Sequence, residues 1–146
     1  MRSARMLVVI FALLFSACAN ITSAEEPKTP DPVGLILIQT MNMVRNYNGT
    51  NRVLVLRYAL KRIGDARSIY LSRKKSDKDQ EEHINRSEHT LEASLHIIFM
   101  QKYREAGDLL GAQQQLVIAC HHASQSFMSP EIWKEACEEI LMNLRL

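Results

Sequence analysis

The residue types able to do chemistry crowd into one stretch near the C-terminus. ACHHASQSFMSPEIWKEAC, Ala119 to Cys137, holds two cysteines, two adjacent histidines and the only tryptophan of the chain. Cysteine and histidine serve as zinc ligands, as nucleophile and base, or, for cysteine alone, as a disulfide. Spacing decides among these. His121 and His122 are neighbours, so on a helix their side chains diverge by about 100° and do not share an ion. Cys120 and His121 diverge in the same way and make no nucleophile–base pair. His89 and His96 face one way but stand two turns apart, about 10 Å, which is too far for one metal. Di-iron bundles use Glu-x-x-His on facing helices. Here Glu92 and His96 are separated by four and Glu88 and His89 by one, so that pattern is missing. The expectation is no metal site, with these histidines on helix surfaces or near helix C-termini.

Catalytic motifs are equally sparse. The chain has no G-x-S-x-G, no Walker loop and no Rossmann glycine pattern, and only five glycines in all. Ser124, Ser126 and Ser129 are explained by helix surface and capping. Glu81-Glu82 and Glu138-Glu139 read as solvated helix runs rather than paired acids. The expectation is a non-enzymatic protein with no catalytic residue and no cofactor.

The cysteines have a better reading. Cys120 and Cys137 are symmetric about Phe127-Met128-Ser129-Pro130, a predicted turn. Each lies about eight residues, or 12 Å of helix, from it. In an antiparallel hairpin they come opposite each other, and an exported chain meets an oxidising compartment. The expectation is a Cys120–Cys137 disulfide stapling the last two helices, with Ala119, Ala123 and Ala136 permitting the close approach that a disulfide requires.

The elements that would carry these residues are helices. Residues 1–24 read as a signal peptide: Arg2 and Arg5, then the apolar run MLVVIFALLFSA, then small residues up to Ala24. This run of 12 residues, apolar but for Ser16, is too short to span a membrane, which takes about 20. Phe15 to Cys18, FSAC, resembles a bacterial lipobox, which makes a lipoprotein signal ending before Cys18 the alternative, with Cys18 lipidated. Residues 25–32 form a Pro-rich linker, and 33–146 the helical domain. Helices are expected at about 33–46, 51–73, 78–105, from 109 to near 127, and from 130 onward. Asp31, Asn51 (or Thr50), Asp108 and Ser129 stand where caps belong. Val33, Leu35, Ile36, Leu37, Ile38, Met41, Met43 and Val44 make the first helix apolar nearly all round, which suits a central position. Later stripes are Val53, Leu56, Leu60, Ile63, Tyr70; Ile84, Leu91, Leu95, Ile98, Phe99; and Leu109, Ala112, Leu116, Ala119, Ala123, Phe127. The fold class is therefore all-α: a small single-domain bundle of about five helices closed by a C-terminal hairpin.

Tyr103 to Ala123 resembles part of a tetratricopeptide unit. Gly107 precedes its second helix, and Ala112, Leu116 and Ala119 fall at that motif's small–large–small spacing. The resemblance covers one turn and helix, with no consensus tryptophan and no second copy, so it speaks to packing rather than family.

Charge is unevenly spread. The chain has 18 basic and 16 acidic residues, and loss of Arg2 and Arg5 with the leader leaves 16 of each. The mature domain is thus formally neutral, and nucleic acid is not an expected partner. Residues 45–78 nevertheless carry a net +8 and residues 79–146 a net −6. The plainer explanation is two halves packing with complementary faces. The alternative is a basic patch of Arg57, Lys61, Arg62, Arg67, Arg73, Lys74 and Lys75 meeting an anionic surface. Asn48-Gly49-Thr50 and Asn85-Arg86-Ser87 match the glycosylation sequon. Taken together, the sequence predicts a protein of the secretory pathway, extracellular or, with Cys18 lipidated, periplasmic and anchored at the outer membrane. It would bind a protein partner. The alternatives are a small helical carrier of an apolar ligand and a lipoprotein acting as an envelope assembly factor.

Overall fold

The computed structural model describes residues 31–73 and 77–144. They form five helices: α1 (Pro32–Arg45), α2 (Arg52–Leu71), α3 (Lys78–Glu105), α4 (Leu109–Ser124) and α5 (Pro130–Leu144), with no strand among the described residues. The expected all-α fold is the observed one. The expected leader, Cys18, residues 25–30 of the expected linker, Lys74 and Lys75 lie outside the described residues. No helix among the described residues is long and apolar enough to cross a membrane.

Local chemistry sets the helix ends. Asn51 accepts from the Leu54 amide at the start of α2. Asp77 accepts from Asp79 and Gln80 at the start of α3. Asp108 accepts from the Gly111 amide at the start of α4. Each satisfies an amide that the first helical turn leaves without a partner. Between α3 and α4, Gly107 takes φ +80°. The Asp108 amide bonds Tyr103 O at 2.9 Å and the Gly107 amide bonds Arg104 O at 3.0 Å. This 6→1 and 5→2 pair is the Schellman closure, and its left-handed residue favours glycine. Asp31 departs from expectation. It occupies the N-cap position of α1 but makes no side-chain cap bond. Its carboxylate is instead held by Arg73 and Gln80.

The core is built on the two sides of α3. Ile84, Leu91 and Leu95 face a cluster made with α1 and α2 that includes Val33, Leu56 and Ile63. Ala93, Ile97 and Met100 face a second cluster made with α4 and α5 that includes Leu116, Ala119 and Ile140. At 100° per residue these two triads sit on opposite faces. The sequence reading found only the first. Between them run Ser87, Thr90 and Ser94, also buried. Thr90 and Ser94 donate to the carbonyls four residues earlier, Arg86 O and Thr90 O, and so stay hydrogen-bonded inside the protein. The central helix is therefore α3. In α1, Leu35 and Ile38 are exposed, so its apolar residues are not all interior. Leu109, the first residue of α4, likewise lies outside the core, at 49% exposure.

Candidate functional site

The hairpin of α4 and α5 brings Cys120 and Cys137 together as a disulfide, with Cα atoms 6.1 Å apart. Buried Ala119 and Ala123, and Ala136 packed against them, line the interface where the helices approach. Trp133 and Met128 pack there as well. A cavity of about 20 Å³ remains beneath the bridge, bounded by Ala93, Ile97, Cys120, Trp133 and Cys137 among others.

His89, His96 and His122 meet at the seam of α3 and α4. His121 and His122 diverge as their adjacency requires. His121 is exposed and bonds Gln125 on its own helix turn. His122 turns inward, half-buried, and meets α3. There its Nδ1 stands 2.8 Å from His89 Nδ1. Its ring also lies parallel to that of His96, at an interplanar angle of 4° and 5.8 Å between centroids. His89 and His96, two turns apart on α3, are thus both neighbours of one ring from α4.

Neighbouring groups fix the ring orientations. His96 Nδ1–H donates to Gln115 Oε1 on α4 at 2.7 Å. That bond leaves Nε2 unprotonated in the neutral ring, directed to the Glu92 carboxylate at 3.8 Å. Between His89 and His122 one ring must donate and the other accept, so two imidazolium ions would place N–H against N–H. Burial lowers the pKa of His122 below 6.5, and His89, His96 and His121 add to the effect through repulsion, with Glu88 opposing. Glu92, His96 and His122 each present one ligand atom, and these atoms lie within 4.8 Å of one another. Sequence reasoning had no linear signal for this set, because its members come from two helices. The one available clue was Glu92 and His96 at i, i+4 on a shared face.

The other candidate residues do not join this site. In the basic segment, Arg67 pairs with Glu88 and bonds Asn85 at 2.9 Å, Arg73 pairs with Asp31, and Arg62 bonds Gln39. Arg57 and Lys61 are exposed. Much of the patch is therefore turned toward partners within the fold. Asn48 is exposed in the α1–α2 turn, whereas Asn85 is partly buried on α3 with its carbonyl engaged by Arg67.

Set beside known proteins, the chain matches no family model, no curated protein and no solved structure.

Proposed function

We propose that the mature chain is an exported, non-enzymatic helical protein that binds a protein partner. One observation carries this reading. Leu110 and Val117 of α4 are each 67% exposed. Seven residues apart, they share one stripe, opposite the core positions Ala112, Leu116, Ala119 and Ala123. Two large apolar side chains in line on a helix surface suit the groove or helix face of another protein better than they suit water. The cavity beneath the disulfide, with room for roughly one water, weighs against carriage of an apolar ligand in that place. The leader and the disulfide support export.

A photo-activated crosslinker at position 110 or 117, introduced in the organism that encodes the protein, tests the reading. A discrete protein adduct is expected there and not at exposed Glu138 on α5. No adduct at either position, or the same adducts from Glu138, would overturn it. N-terminal analysis of the mature protein tests export, with Glu25 or a lipidated Cys18 as the expected first residue.

A further inference from the structure

We propose that Glu92, His96 and His122 form a binding site for a divalent first-row transition ion, with Zn²⁺ as the reference occupant, bridging α3 and α4. The three ligand atoms already lie within 4.8 Å of one another. A tetrahedral ion with bonds of about 2.0–2.1 Å sets its donors roughly 3.4 Å apart. His96 Nε2 and the Glu92 carboxylate stand at 3.8 Å, too far apart for a good hydrogen bond and close to that separation.

The surroundings are those a metal site needs. A metal-binding imidazole is commonly oriented by a hydrogen bond at its other nitrogen. Gln115 does this for His96. His89 meets His122 at Nδ1, 2.8 Å away, and in the proposed site that contact orients the ring while Nε2 serves as the ligand atom. Two nitrogens and one carboxylate oxygen select zinc, copper, nickel or cobalt over magnesium and calcium, which prefer oxygen alone. Three protein ligands leave a fourth position for water or for a donor from a partner.

The test is calorimetric titration of the disulfide-intact, chelator-treated protein with ZnCl₂ alone at about pH 7.5, where histidine is mostly neutral. One saturable equivalent is expected, and Co²⁺ should compete for it and gain visible absorption. His96→Ala, His122→Ala and Glu92→Gln should each weaken binding at least about 10-fold, and Gln115→Leu by about 10-fold. His121→Ala and His83→Ala, outside the set, should leave the affinity unchanged. If His122→Ala does not fold, Glu92→Gln and Gln115→Leu still decide the matter. Absence of saturable binding below about 1 mM would overturn the site. So would Zn²⁺ binding that survives His96→Ala and Glu92→Gln but is lost in His121→Ala or His83→Ala.

Discussion

Arg73, two residues past the end of α2, holds the carboxylate of Asp31 at the start of α1, 42 residues away in sequence. Gln80 of α3 joins the same carboxylate and accepts from Arg73 at 2.7 Å. One side chain at a helix N-cap position thereby ties three helices together. The arrangement lowers the Asp31 pKa below 3.8, with the Arg73 hydrogen bond as the largest cause and burial opposing it.

The sign of the resulting pH dependence follows from that direction. A carboxyl with a depressed folded-state pKa contributes stability above its unfolded value, here 3.8. That contribution fades as pH falls through the folded value. Asp31→Asn should therefore lower the urea midpoint at pH 7, and the gap from the parent should narrow as the pH drops below 3.8. Because both partners are about one-third exposed, the effect should be modest and should shrink in high salt. Urea titrations over this pH range at two salt concentrations measure it; a gap independent of pH would count against the pair.

Opening the disulfide should destabilise the protein without abolishing its helices. With the cysteines 17 positions apart in sequence, loop closure is worth about 3 kcal/mol in the chain-entropy treatment. Cys120→Ser with Cys137→Ser, and the parent protein under reductant, should show similar drops in denaturation midpoint. Peptide mass spectrometry without reduction should recover the two cysteines as one linked species.

Neighbouring positions on α4 should respond very unequally to truncation. Leu116 is 2% exposed and Val117 67%. Leu116→Ala should cost about 2–5 kcal/mol, since it opens a cavity in the α3–α4–α5 cluster. Val117→Ala should stay within about 0.5 kcal/mol. Denaturant unfolding of the two variants under oxidising conditions reads both.

Thr40 invites a stabilising change. It is fully buried in α1, and its hydroxyl has no hydrogen-bond partner among the described residues. Thr90, buried to the same degree, bonds Arg86 O. Thr40→Val keeps the shape and removes the unsatisfied group, so a gain of about 1 kcal/mol is expected. An unchanged or lower unfolding midpoint would show that the hydroxyl is satisfied in solution.

Legibility from sequence followed the kind of signal each feature leaves. The helices were visible because Asn51, Asp108 and the Ser129-Pro130 start punctuate strong apolar periods. The disulfide was visible because both cysteines sit symmetrically about a turn. The second face of α3 was not, because Ala93, Ile97 and Met100 interleave with the first stripe, and the buried flank of Ser87, Thr90 and Ser94 looks polar until its backbone bonds are seen. The histidine cluster was hidden for a different reason. Helical geometry correctly separates His121 from His122 and His89 from His96. Only the register of α4 on α3 sets His122 against both His89 and His96.

The bridge between Cys120 and Cys137 also determines how the molecule carries a pull. If the domain is held at both ends, tension entering through α5 crosses the sulfur–sulfur bond directly into α4. Residues 121–136, including the inward-facing His122 and the exposed His121, then lie off the load path. At about 3.4 Å per extended residue, the 17-residue separation makes the oxidised chain about 50 Å shorter at full stretch than the reduced one. The redox state thus sets how far the chain can be drawn out, and whether the α4–α5 turn feels the force at all.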